Sequence, residues 1–428
     1  MQLPGDHPKR FALSNEVHAR PPEPLTAPVR LSCIALTTDW PYREEDREVV
    51  CDLTKRYGAT PPGPGVKHYS VDLQEFRLIW ERHTEFTRYT FITRQEDEDP
   101  FASPAIRAAP SSWVEALPGE VIAAANAVLV DADQGGPDQS EIATRYFSGQ
   151  ALIGSAISGG VATAFTDFRI HSDGFSRFLV LNKSMTPWQA GRIVQRLMEI
   201  ETYRVVALLA LPVAQALGPK LTAWESELAQ VTSAMTSDQD VDEPALLERL
   251  TSLQAAIEKS YTESQFRFGA ASAYYSLVQR RIDELREDRL EDAQTFHEFT
   301  ERRLAPAMGT CQAVSNRQAA LSERVDRAVQ LLSTRVDMTL ERQNQEVLES
   351  MNTRAELQLR LQQTVEGLSI AAITYYVVGV ISYFAAGLES AGAPIDPKLI
   401  AGASVPLVLI LVALGVWHTR RALASKKD

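Results

Sequence analysis

Residues 368–388 read LSIAAITYYVVGVISYFAAGL. They carry no charge, and their length is close to the ~20 residues a helix needs to cross the hydrocarbon core of a bilayer. A second uncharged stretch, 399–417, reads LIAGASVPLVLILVALGVW. The link between them, Glu389 to Lys398, is short and polar and holds Gly392, Pro394 and Pro397. This pattern predicts two transmembrane helices joined by a tight outside turn. Arg420, Arg421, Lys426 and Lys427 follow the second span, and a basic flank of this kind marks the cytoplasmic side. Two spans return the chain to its starting side. The start, MQLPGDHP, has no apolar h-region, which gives the same expectation. Both termini are therefore expected in the cytoplasm, with the protein in a bacterial inner membrane. A third apolar run, Val205 to Leu211, is too short to span and reads as a core helix.

Upstream of the first span, no Pro or Gly occurs between Gly309 and Gly367. Leu321, Val325, Leu332, Val336, Leu340, Val347, Met351, Leu361, Val365 and Leu368 recur at three- and four-residue steps, with some gaps. The spacing is close to heptad. One uninterrupted helix from Gly309 to Leu388 would be ~120 Å long at 1.5 Å per residue. So narrow a stripe on so long a helix needs partner helices, from its own chain or from copies of itself.

The first 185 residues read as an α/β domain. VRLSCIALT (29–37) is a strand, Arg43 to Tyr57 a helix stopped by Gly58, and Ala59 to Gly65 a loop. Lys67 to Thr93 alternates, with Phe76, Leu78 and Trp80 on one face, and predicts two or three antiparallel strands turning near His83. Val121 to Val130 and Ala151 to Ile157 are further strands. Asp173-Gly174 predicts a two-residue hairpin between Phe165 and Leu181, which would close the body near Asn182. After Thr186-Pro187 the composition is helical. A helical hairpin is expected over 186–305, with its break at Ser237 to Pro244 and kinks at Pro212 and Pro219. The stalk helix follows over 306–367, then the spans at 368–388 and 399–417 around the loop 389–398, and a basic tail over 418–428. The fold class is α+β/α.

Composition narrows the function. The net charge is −12 and no basic patch is interleaved with aromatics, so nucleic acid is an unsuited partner. Cys33, Cys51 and Cys311 are far apart, which fits a reducing compartment and neither a disulfide framework nor a zinc site. The chain contains no GxxxxGK[ST], GxSxG or HExxH. The glycines of Gly154-Ser155-Ala156-Ile157-Ser158-Gly159-Gly160 fit a tight strand turn better than a phosphate cradle.

Three sets of residues are candidates for function. Asp238, Asp240 and Asp242 resemble the opening of a calcium loop, but Glu243 and Arg249 stand where Gly and Glu are required; a weak, exchangeable divalent-cation site is what remains, against a solvated acidic turn. Asn15, Glu16, His18 and Arg20 precede Pro21-Pro22, which predicts an extended segment; Glu81, Arg82, His83 and Glu85 occupy a strand-to-strand corner. Together they mix acid, base and imidazole, as either an acid–base or anion site or an ion-pair network pinning the N-terminal arm to the sheet edge. Ala371, Thr374, Val378, Ser382 and Ala385 form a small, weakly polar face of the first span, suited to close helix packing or, around an axis, to lining a pore with Glu389 and Asp396 at its outer mouth.

The Asn15-Glu16-Val17-His18-Ala19-Arg20-Pro21 motif, the Trp80-Glu81-Arg82-His83 segment and the two terminal spans resemble, over the whole chain, a bacterial family of membrane-anchored proteins of unknown function. The layout is also similar to that of CorA-type magnesium transporters, and the boundary Gly367-Leu368-Ser369-Ile370-Ala371-Ala372-Ile373 resembles that family's entry into the membrane. That resemblance implies a homopentamer with the first span around a pore. The Gly-Met-Asn signature of that family is missing: Ser382-Tyr383-Phe384-Ala385-Ala386-Gly387-Leu388 stands in its place. The expectations are thus a CorA-like homo-oligomer that passes or senses cations, a membrane-anchored scaffold or ligand-binding protein, or, last, an enzyme using His18, Arg20, Glu81 and His83.

Overall fold

The computed structural model describes residues 6–17, 21–37, 43–94, 99–132, 138–237, 242–391, 394 and 396–424. The chain divides into two units, Met1–Val329 and Gln330–Asp428.

The first unit is built on a nine-stranded mixed sheet. Its strands are β1 (Val29–Thr37), β2 (His68–Asp72), β3 (Arg77–Arg82), β4 (Phe86–Arg94), β5 (Glu120–Asp131), β6 (Ile153–Ile157), β7 (Ala162–Thr166), β8 (Ser176–Asn182) and β9 (Asp288–Arg289). The spatial order is β2-β3-β4-β1-β5-β8-β7-β6-β9. Among the described strands only β5 and β8 pair in parallel with each other; the other strand pairs are antiparallel. This is an α+β body. The sequence of β1 is apolar at successive positions because helices cover both faces of the strand, so alternation is lost.

On one face, Ile34, Leu36, Leu78, Trp80, Tyr89 and Phe91 form a core. It is closed by Val50 and Leu53 of α2 (Arg43–Arg56) and by Trp113 of α3 (Ser111–Glu115), whose indole donates to the Val49 carbonyl at 2.9 Å. Gly58, with φ +67°, ends α2 as expected. The other face carries Leu31, Cys33, Ile79, Glu81, Arg88, Thr90 and Ile92. It is covered by α5 (Pro187–Leu208), which packs on the sheet through β5 and starts in a capping box between Thr186 and Gln189.

Several expectations need correction. Asn15, Glu16 and Val17 are helical, in α1 (Arg10–Val17), because Pro21 restricts only the residue directly before it. β7 and β8 are joined by 167–175, not by two residues; Asp173-Gly174 is a local turn inside that link, where Gly174 N–H donates to the His171 carbonyl. The sheet does not close at Asn182, since β9, a hundred residues later, pairs with β6 at its edge. The first arm of the expected hairpin is two helices, α5 and α6 (Ala210–Met235), broken at Leu209. Pro212 sits in the first turn of α6, where no N–H is needed, and its ring obstructs the carbonyl of Leu208. Pro219 lies inside α6, which continues through it. The glycines of 154–160 make the strand turn: Gly159 and Gly160 have positive φ between β6 and β7, and a Cβ at Gly154 would lie 2.5 Å from the Phe165 ring.

The second arm is α7 (Glu243–Leu285). β9 and α8 (Phe296–Arg303) follow it, two elements that the helical composition had concealed. The long helix is α9 (Ala305–Ser390), 86 residues, beginning just before Pro306. Its first part packs with α6 and α7 in the first unit. Arg317 binds Glu225 at 2.5 Å, Gln254 donates to Asp326 at 2.6 Å, and Ser264 and Gln318 share a buried hydrogen bond of 3.0 Å. Leu321 and Val325 are buried there.

The second unit comprises the rest of α9 and α10 (Pro397–Ala424). From 337 to 365 every residue is exposed. Further on, Thr374, Ala385 and Val408 are buried within this unit's apolar helices. Pro406 sits inside α10.

Candidate functional site

β2, β3 and β4 are in a register that places His68 beside Glu81, and Glu81 beside Arg88. The three side chains line one row across the sheet, on the face that α5 covers. Arg88 donates from Nε to Glu81 at 2.7 Å and from Nη2 at 2.5 Å, and both residues are almost wholly buried. Glu199 of α5 stands 3.8 Å from Arg88 and accepts from Gln195 at 2.9 Å and from Arg281 of α7. Arg281 also binds Glu284 at 3.0 Å, and Glu284 accepts from Arg196 at 2.9 Å. The alternating chain Glu81–Arg88–Glu199–Arg281–Glu284–Arg196 thus ties the sheet to α5 and α7.

Burial alone would discharge these groups, and their pairing keeps them ionised. Desolvation pushes the Glu81 carboxyl up, but the charge and hydrogen bond of Arg88 together with His83 and His68 more than offset it, leaving Glu81 below the usual carboxylate range. Desolvation likewise opposes the charge on Arg88, and Glu81 with Glu199 raises it above the usual arginine value. Burial pushes the Cys33 thiol up, which leaves it protonated and a poor nucleophile. Burial, then Glu199, pushes the Tyr203 phenol up to about 12.

Beside this row lies a cavity of about 40 Å³. That is room for about two or three waters, or for one small ligand group. Its polar wall is His68, Glu81, Arg88 and Thr90; its apolar wall is Leu31, Ile79, Ile92, Val194 and Met198. Arg88 Nη1 is buried with no hydrogen-bond partner among the described residues. The third wall is the N-terminal arm: Pro21, Glu23 and Leu25. The arm is fixed at three points. Leu25 N–H donates to the Pro187 carbonyl at 2.9 Å, Glu23 binds Arg77 at 2.9 Å, and Ser70 donates to Glu23. Its backbone crosses α5 at Gly191, where a Cβ would lie 1.8 Å from the Glu23 carbonyl oxygen. Only glycine allows this approach.

The structure distributes the sequence candidates unevenly. Glu81 is at the cavity. Arg82 is on the opposite face, its guanidinium 5.1 Å from the Trp80 ring centre. His83 stacks on Phe86 at 4.4 Å, and Glu85 binds Arg267 of α7 at 2.7 Å, both at the strand corner. His18 and Arg20 lie outside the described residues, as do Asp238 and Asp240. For Asn15 and Glu16 only the helical backbone is described; Pro21, the last residue of their motif, and Glu23 line the cavity beside the Glu81 row. Asp242 is the N-cap of α7 and accepts from Ala245 N–H at 3.1 Å. Among the described residues no cluster of three or more His, Cys, Asp or Glu could hold a metal ion. The Thr374 hydroxyl donates to the Ile370 carbonyl at 2.7 Å, Val378 and Ser382 are half-buried, and Glu389 and Asp396 are exposed. Sequence reading missed Arg88, Glu199 and Arg281. Arg88 had a signal: it is a charge inside the apolar strand FTRYTFIT, at a position the alternation buries.

The chain belongs to a family described as "Protein of unknown function (DUF3422)", whose model matches residues 5–423. No curated protein matches it.

Proposed function

We propose that this is a membrane-anchored binding protein. In this reading two helical spans hold it in the bacterial inner membrane with both termini cytoplasmic, and its body recognises a ligand at the cavity under the arm. What supports the anchorage is uncovered apolar surface. Three helical stretches are long and apolar enough to cross a membrane: Pro187–Met235, Phe296–Ser390 and Pro397–His418. The most apolar window of the first is 33% buried, and its α5 part packs on the sheet. The windows of the other two are 11% and 6% buried, so the described residues leave most of each uncovered, and lipid is the solvent that would cover them. The basic residues after 417 favour the inside orientation.

Recognition without turnover is favoured by the locked charges. Glu81 and Arg88 neutralise each other, and the neighbouring Cys33 thiol is held protonated. One polar and one apolar wall suit a small amphipathic ligand with an acceptor group for Arg88. The test is native mass spectrometry of the full-length protein released from nanodiscs. Wild type is expected to carry a small-molecule adduct that Val194→Trp, filling the cavity, loses while keeping its circular dichroism. The same adduct on both proteins, or none on either, sinks the binding reading. Extraction of the protein by alkaline carbonate sinks the anchorage.

A second reading, cation passage by a CorA-like homo-oligomer, is favoured by the exposed carboxylates of Glu389 and Asp396 at the α9–α10 connection. It requires Thr374, Val378 and Ser382 to line an axis, whereas the burial of Thr374 favours a packing role for that face. Thr374→Leu with Ser382→Leu should abolish magnesium flux into proteoliposomes if they line the axis; unchanged flux removes them from it.

A further inference from the structure

The part of α9 between residues 337 and 365 has no cover among the described residues. Every residue from 337 to 365 is exposed, a length of ~42 Å at 1.5 Å per residue. Yet this part is patterned for packing. Leu340, Val347, Leu361 and Leu368 fall seven or fourteen residues apart, and Met351 and Val365 occupy the alternate core position. Written as a heptad, position d holds Leu340, Val347, Arg354, Leu361 and Leu368; position a holds Asn344, Met351, Gln358 and Val365. The exposures of the apolar members run from 52% at Leu340 to 68% at Leu368. Six of these nine positions are apolar, over four heptads.

We infer that residues 340–368 of α9 form a parallel, in-register coiled coil with further copies of this chain. Two observations choose a second copy as the occupant. The off-seam surface carries both signs of charge, among them Arg335, Arg342 and Arg360 with Glu341, Glu346 and Glu349, so like copies are not driven apart. Asn344 and Gln358 at a are side chains that pair with their own kind in a shared layer and fix register. Arg354 at d packs its stem and carries its head outward. Leu348 and Leu357, at e and g, are 64% and 60% exposed and widen the seam beyond a two-helix contact. Toward the apolar span, Leu361 and Val365 border an open groove that Val416 of α10 also lines, leaving room for a neighbouring α9. The parallel direction rests on the anchorage proposed above: copies inserted the same way in one bilayer present α9 in the same sense.

The test is disulfide trapping of the full chain in native membranes, with single cysteines introduced by Val347→Cys, Met351→Cys and Leu361→Cys on the seam and Gln345→Cys and Glu349→Cys off it. All five positions are exposed, so folding is not at stake, and the native Cys33, Cys51 and Cys311 are buried. Like-with-like dimers are expected at the three seam positions, at least tenfold over the two controls. Equal trapping at all five positions, or none at any, overturns the seam. Trapping between Leu340→Cys and Leu368→Cys in mixed copies, in place of like pairs, overturns the parallel register. Asn344→Leu is expected to change the subunit number read by native mass spectrometry; an unchanged number with scattered cross-links also overturns the register. Carbonate extraction of the same membranes reports the anchorage separately.

Discussion

Replacing Gly191 with alanine sets two effects of one methyl group against each other. In an isolated helix the change is favourable by about 1 kcal/mol. Here the new Cβ would lie 1.8 Å from the Glu23 carbonyl oxygen, and contacts under 3.0 Å force a shift. The obstacle is backbone, so no rotamer relieves it. Moving the arm away stretches the 2.9 Å bond from Leu25 N–H to the Pro187 carbonyl, which is worth about 1 kcal/mol. It also uncovers Leu25, now 6% exposed, at a cost of about 1.5–2 kcal/mol. Against the helix gain, closure of the arm loses about 1.5–2 kcal/mol, or about 10–30-fold in its opening equilibrium. Hydrogen exchange by mass spectrometry on the full-length protein reads this directly. The Leu25 amide and its neighbours should exchange about 10–30-fold faster in Gly191→Ala, while β1 and β4 are unchanged. Unaltered protection of the arm would refute the close-approach argument; loss of protection throughout the sheet would show that the arm is part of the core.

Other outcomes follow from the charge row. Glu81→Gln leaves Arg88 buried without its main counter-charge and should cost about 3–5 kcal/mol in denaturant unfolding, much of which Glu81→Leu with Arg88→Met restores. Glu81 is held below its usual value, so its stabilisation is complete above the unfolded pKa of about 4.3 and is lost as pH falls through the lower folded value. An acid titration followed by circular dichroism should show that limb, and it should flatten in the double variant. Cys33 is buried with its thiol pushed up, so maleimide should label it only at the rate of unfolding; labelling of the native protein within minutes would contradict the packing of α5 on the sheet.

Local pattern made much of the architecture readable. β1, α2, the β2–β4 meander and the 86-residue α9 follow from alternation, helical period and the placement of Pro and Gly. Pattern failed where the partner was distant in the chain. β9 is two residues of a helical region, recruited by the edge of β6. The Asp173-Gly174 turn was real, but Phe168, which takes a positive φ, and the 167–175 link set the strand ends. The motif after Asn15 was visible as a cluster of charges, yet its destination was not, because the cross-strand pair of Glu81 and Arg88 and the gap at Gly191 are tertiary facts.

The sequence alone determined β1, α2, the two uncharged stretches and the near-heptad spacing of apolar residues along α9, since each depends on periodicity and charge along one segment. Tertiary structure decided which of three apolar helical stretches is covered by protein and which is left bare. It also decided that a charge in β4 meets one in β3 and another in α5. Such outcomes depend on which surfaces close on each other, and a buried charge is stable only where folding brings its counter-charge within hydrogen-bonding distance.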